Sequence, residues 1–210
     1  MKHLKMLALA AVAVGALMAF IGAGSASAAI ICSTTQEPCP AGQQWPVNTA
    51  IDMTIPTGSS AELVSTANEE LDKCSSSTVK GKITNAGSST TTVTGPVEEL
   101  TWGSCTFPTK TLVLGKLEVK RITGTHDGTV VADGEFQVTI NTVFFGSCIY
   151  GVTSGDTIGD LTEGNPGVFH ATAVAEKFSG SAFACPTTSK WTGTYTVTSP
   201  SNTTMSIQDS

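Results

Sequence analysis

The run Trp191–Thr198 constrains the chain most. Trp191, Gly193, Tyr195 and Val197 alternate with Thr192, Thr194, Thr196 and Thr198. A strict period of two places one set on a buried face and the other on a solvated face of an extended strand, and it does not suit a helix. The same alternation recurs along the chain. Thr49–Ile55 sets Ile51, Met53 and Ile55 against Asp52 and Thr54, and Pro56-Thr57-Gly58 ends that strand. In Cys74–Gly87, Val79, Gly81 and Ile83 alternate with Lys80 and Lys82, and Asn85-Ala86-Gly87 reads as a turn. A return strand begins at Thr90–Thr94 and reaches Cys105.

Gly134–Tyr150 is the longest strand-like run, with Phe136, Val138, Ile140 and Phe144 on one face. Its end, Phe145-Gly-Ser-Cys-Ile-Tyr150, echoes Trp102-Gly-Ser-Cys-Thr-Phe107 upstream, so both read as strand ends pinned by disulfides. Lys110–Thr123 keeps strand character but changes phase at Gly115, as a β-bulge would. Phe169–Phe178 is a further strand with Ala171, Ala173 and Ala175 on one face. Ala61–Lys73 reads as a loop or irregular strand, and Ser154–Gly167 as the longest loop. Ser199–Asn202 turns the chain, and Met205 and Ile207 end it. The expected fold is all-β, an antiparallel β-sandwich or partly closed β-barrel of about nine or ten strands. An outer-membrane barrel would carry apolar residues where this chain has threonines.

The N-terminus has the pattern of a cleaved leader. Lys2 and Lys5 precede the apolar Met6–Gly22, and Ala26-Ser27-Ala28 supplies a small-residue site, giving a signal peptide over residues 1–28 and a single all-β domain over residues 29–210. The expected location is extracellular, with cell-envelope association as a variant. Ile31 is too large for lipoprotein processing at Cys32, and no other apolar run approaches the roughly 20 residues of a membrane helix. No membrane span is expected in the mature chain. Taking Lys2 and Lys5 from the 11 basic residues leaves 9 against 17 acidic ones. Arg121 is the only arginine, so phosphate and base-edge recognition are disfavoured and no nucleic-acid partner is expected.

Six cysteines in an exported chain imply a disulfide framework. Sequential pairing, Cys32–Cys39, Cys74–Cys105 and Cys148–Cys185, would join successive strand pairs. There is no C-x-x-C, and His126 and His170 are the histidines beyond the leader, so neither metal nor cofactor is expected. Chemistry has little to stand on. No G-x-S-x-G occurs; His126 precedes Asp127-Gly128 in a turn, and His170 sits within a strand. Glu69-Glu70 and Glu98-Glu99 are adjacent pairs, simplest as solvated charge. Asp156, Asp160 and Glu163 share one loop and could gather around calcium, but not with EF-hand spacing. Trp45, Trp102 and Trp191 could stack on sugars if exposed; Trp191, on an apolar face, reads as core. Asn202-Thr203-Thr204 matches a glycosylation sequon by chance in a chain with a bacterial-looking leader.

Two segments carry a resemblance: Cys74-Ser-Ser-Ser-Thr-Val-Lys-Gly-Lys-Ile-Thr-Asn-Ala-Gly87 with Leu100-Thr-Trp-Gly-Ser-Cys105, and Cys185-Pro186 with Trp191-Thr-Gly-Thr-Tyr-Thr-Val-Thr-Ser-Pro200. Together they resemble small exported β-proteins of high-GC Gram-positive bacteria that carry no assigned activity. The resemblance implies a secreted or envelope location and supplies no catalytic residues. The leading expectation is a non-enzymatic structural or binding module that meets an unknown extracellular or envelope partner through Ser154–Gly167. The second is a carrier of a small apolar or sugar ligand inside a barrel or between sheets. The third is a secreted hydrolase built on His126 or His170.

Overall fold

The structure is a computed structural model that describes residues 28–210. The leader expected over residues 1–28 lies outside the described residues except for Ala28. Among the described residues, sixteen strands make up two sheets. Eight of them close a barrel: β2 (Ala50–Thr54), β4 (Glu70–Lys82), β6 (Thr91–Cys105), β8 (Lys116–Arg121), β9 (Gly128–Asp133), β12 (Thr157–Thr162), β13 (Val168–Ala171) and β15 (Thr188–Ser199). Each pairs antiparallel with the next in that order, and β15 pairs back to β2. Closure removes every edge from this ring, which an open sandwich could not do.

Three strands are too long for the barrel alone. β4, β6 and β15 have 13, 15 and 12 residues, about twice the usual strand length. Their surplus halves build a second lobe with β3 (Ala61–Ser65), β7 (Thr109–Val113), β10 (Phe136–Thr142), β11 (Gly146–Val152) and β14 (Val174–Lys177). In β15, Ser189–Thr192 pairs with β3, and Thr188–Lys190 pairs with β14 on the other side. Further along the same strand, Gly193–Thr196 pairs with β13. The second lobe then continues through β11 and β10 to β7.

One end of the barrel is plugged. β1 (Ile30–Cys32) pairs with β16 (Ser206–Gln208), and Ile31, Trp45, Met205 and Ile207 from this region are buried. β5 (Asn85–Ser88) lies alongside β6 nearby. Gly87 has φ of 80°, and a Cβ there would meet the Ala29 carbonyl oxygen at 1.8 Å, so the plug's backbone sits directly on this glycine. The Cys32–Cys39 disulfide closes a ring beside the plug, and Arg121 ties that ring down through Glu37 at 2.6 Å.

Several sequence expectations are corrected by this architecture. Gly134–Tyr150 is not one strand: β10 and β11 form a hairpin whose tip is Val143-Phe144-Phe145, and Phe144 is exposed rather than on the buried face. Gly115 marks no bulge. It separates β7 from β8, which belong to different lobes. Phe169–Phe178 likewise divides at Thr172-Ala173 into β13 and β14. Asn85-Ala86-Gly87 is strand rather than turn, and Ser154–Gly167 contains β12, with Ile158 and Leu161 in the core. Strand character continues when a chain changes neighbours, with a change of phase at Gly115 and with none at Thr172-Ala173, so the period alone merges these pairs and gives too few strands.

Candidate functional site

Two adjoining apolar chambers lie in the interior formed by the described residues. The first, of about 90 Å3, lies between the lobes and is lined by Leu63, Leu100, Trp102, Ile140, Tyr150 and Trp191, among others. The second, of about 80 Å3, fills the barrel towards its plug and is lined by Ile31, Trp45, Ile83, Val119, Leu161 and Met205, among others. Met53, Val79, Val97, Leu117 and Phe169 line both, so the chambers share a wall. Met53 is the adaptable member of that wall, an unbranched thioether that can change rotamer without opening a backbone bond.

Small residues make the first chamber possible. Ala173 and Ala175 are buried against it where a larger side chain would fill it. Trp102 and Trp191 meet edge to face with ring centroids 5.7 Å apart, and Trp191 contacts Tyr195 in the same way at 6.1 Å. Trp102 and Trp191 are half-buried and stand edge to face rather than coplanar, so they do not present a flat sugar-stacking platform. In the second chamber, the buried Trp45 has an indole N–H without a hydrogen-bond partner among the described residues. A buried donor left unpaired costs about 1–3 kcal/mol, so an acceptor reaching it would be favoured.

Charged groups are confined to one corner of the first chamber. Asp72 is buried there, accepting from the Phe107 N–H at 3.0 Å and from the Thr109 hydroxyl. Glu62 stands beside it, its pKa lowered by a hydrogen bond from Lys73 and another from Ser60. Asp72, Cys74 and Cys105 come within 4.8 Å of one another, in a grouping that could suggest a metal site. The two sulfurs are bonded to each other, so neither offers the thiolate that a metal needs.

The lobe wall beside this corner is not closed by backbone. Among the described residues no ladder joins β7 to β6. Side chains bridge the gap instead: the Trp102 indole donates to the Thr111 hydroxyl at 3.0 Å, and that hydroxyl donates to the Leu100 carbonyl at 2.7 Å. The bridge is a seam of side-chain hydrogen bonds with no strand ladder across it.

The residues singled out from sequence lie elsewhere. His126 has both ring nitrogens facing carboxylates, Nδ1 to Glu163 at 2.7 Å and Nε2 to Glu37 at 3.6 Å, so neither is aimed at a nucleophile. His170 is exposed and pairs with the Thr194 hydroxyl at 3.3 Å. Neither lines a chamber. Asp156, Asp160 and Glu163 are not gathered: they bond to Thr153, Thr129 and His126 respectively. Glu98 and Glu99 pair with Lys82 and Lys80 across the sheet. The six cysteines form Cys32–Cys39, Cys74–Cys105 and Cys148–Cys185. Sequence reasoning missed the chamber walls because alternation tells which face is buried but not whether the buried faces meet.

Comparison of the chain with protein-family models, with curated proteins and with solved structures returns no match. Among the described residues, no helix is long and apolar enough to cross a membrane.

Proposed function

We propose that the protein binds and carries a slender apolar molecule in the paired chambers. The adjoining apolar volumes behind a side-chain seam are the observation that carries this reading. An apolar cavity of about 150 Å3 stays dry and takes up benzene or xenon. The two chambers together are of that order, below the roughly 300–1,000 Å3 of pockets for larger ligands. The shape therefore suits a short hydrocarbon chain or a small aromatic, with longer chains admitted as Met53 turns aside. A sugar is disfavoured, since its hydroxyls would find acceptors only at the Asp72 corner. The alternative of a purely structural or partner-binding module gives the chambers no role. A secreted or envelope setting agrees with the leader pattern and the three disulfides.

The test is thermal unfolding in the presence of a series of linear alkanes, alcohols and simple aromatics. Saturable binding to the native state raises the melting temperature, by an amount set by ligand concentration over Kd. Ala173→Leu fills the first chamber and should abolish the rise for ligands that need it. If no compound shifts the wild-type transition, or if Ala173→Leu shifts equally, the carrier reading is wrong.

A further inference from the structure

The most exposed large apolar side chains of the described residues converge on one point of the surface. Phe183 is 99% exposed, Phe144 82% and Val143 79%. Val143 and Phe144 form the tip of the β10–β11 hairpin, and Phe183 lies in the link from β14 to β15. The two segments are held against each other. The Cys148–Cys185 disulfide joins them, the Ala182 N–H donates to the Ser147 carbonyl at 2.9 Å, and the Ile149 N–H donates to the Ser181 hydroxyl at 2.8 Å. A Cβ on Gly146 would lie 3.3 Å from the Ala182 Cβ. Phe144 is thus two residues from one side of this contact, and Phe183 one residue from the other.

Single exposed apolar residues need no explanation, but three at a stapled, protruding tip do. The charge around them is selective. The chain has 17 acidic residues, yet none lies between Phe136 and Gly155 or between Lys177 and Gln208. Lys177 sits at the base of the tip, its ammonium donating to the Cys185 carbonyl at 3.1 Å. The point itself carries no carboxylate. Behind it, at the Tyr150–Gly151 level of the hairpin, stand Lys177 and the exposed Glu176. An apolar tip set off from charge in this way matches the chemistry of a bilayer interface. There phenylalanines enter the acyl boundary, and acidic groups would meet lipid phosphates. A protein partner would need a pocket shaped to receive the projecting tip, whereas the exposed Asn141, Ser147, Ser179 and Thr187 around it can meet lipid headgroups without one.

We propose that this tip inserts into the headgroup–acyl boundary of a lipid bilayer. The proposal does not depend on the carrier reading, but it gives that reading a geometry. Ile140 and Tyr150, from the hairpin behind the tip, line the first chamber. A lipid surface would thus be the place where apolar cargo is exchanged.

The chain from Ala29 onward, the expected mature form, contains every described strand and all three disulfides, and it is the form to test. It is mixed with phosphatidylcholine vesicles, with and without phosphatidylglycerol, and sedimented. Wild type should partition to the vesicles, and Phe144→Ser and Phe183→Ser should each weaken partitioning by roughly tenfold or more. Both positions are exposed, so an unchanged melting temperature confirms that the variants fold. Phe144→Trp supplies a reporter at the tip: its emission should shift to the blue on vesicles and be quenched by lipids brominated on their acyl chains. The proposal is overturned if wild type stays in the supernatant, or if the Phe144→Trp probe shows no quenching. It is equally overturned if the serine variants abolish a concentration-dependent dimer while vesicle partitioning is unaffected.

Discussion

Tyr195 shows how completely this interior excludes water. It is fully buried, donates its hydroxyl to Ser77 at 3.1 Å, and packs on Phe169 with ring centroids 5.9 Å apart. Burial pushes its pKa up to about 12, and burial does the same to Tyr150, whose hydroxyl donates to the Pro186 carbonyl at 3.1 Å. These are the two tyrosines of the chain, so the effect can be read without interference. In the unfolded chain both ionise near pH 10. Between about pH 10 and 12 the unfolded state therefore releases protons that the folded state retains, and stability must fall as pH rises through that window. Below pH 10 both states hold the protons and this contribution is flat. Tyrosinate absorbance should be absent from the native protein at pH 10.5 and appear at once on adding denaturant. Immediate titration of either tyrosine at pH 10 in the folded protein would show that water reaches the walls. Gly95 makes a second test at this scale. A Cβ there would lie 2.0 Å from the Lys82 carbonyl oxygen, so Gly95→Ala must push β4 and β6 apart. A loss of about 2 kcal/mol or more in urea unfolding is expected, and a change below about 0.5 kcal/mol would mean the strands have slack.

Among the elements, the seam between β6 and β7 is the one whose strength should control access. Thr111→Val keeps the shape but leaves the Trp102 N–H without its acceptor and the Leu100 carbonyl without its donor. The cost should be about 1–3 kcal/mol of stability, with faster uptake and release of any apolar ligand. Stopped-flow measurement of tryptophan emission would show it; unchanged exchange rates would place the portal elsewhere. The Cys74–Cys105 disulfide spans 31 residues and faces this corner from the other strand. Replacing both cysteines by alanine should cost about 3–4 kcal/mol on the chain-entropy model, measured as a lowered denaturant midpoint. The sequence was informative about strands of this kind. Val79 and Tyr195 sit on buried faces, as alternation requires, and the disulfide partners follow from strand order. It was misleading where one strand-like run serves two neighbours, as at Gly115, where the phase changes, and at Thr172-Ala173, where it does not. Phe144 shows the reason most plainly. Its parity matches Ile140, yet the hairpin turns between them, and parity says nothing once the chain reverses.

At the scale of the whole molecule, the barrel and the second lobe share β4, β6 and β15. The all-β class was legible from threonine alternation, but the closed eight-stranded ring was not. Closure depends on pairing β13 with β15, which no local pattern encodes. The chambers were hidden for the same reason, since their walls come from strands far apart in sequence. Sharing three strands predicts one cooperative unfolding transition, with calorimetric and van't Hoff enthalpies equal. Two resolved peaks would show that the lobes melt separately. The shared strands also bear on how such a chain can change over time. There is no point at which it can be cut to leave either lobe with a complete wall, so neither can be exchanged as a module. A new cargo must come from substitutions made one at a time within the existing walls, and at Met53, Val79, Val97, Leu117 and Phe169 each such change is felt in both chambers at once.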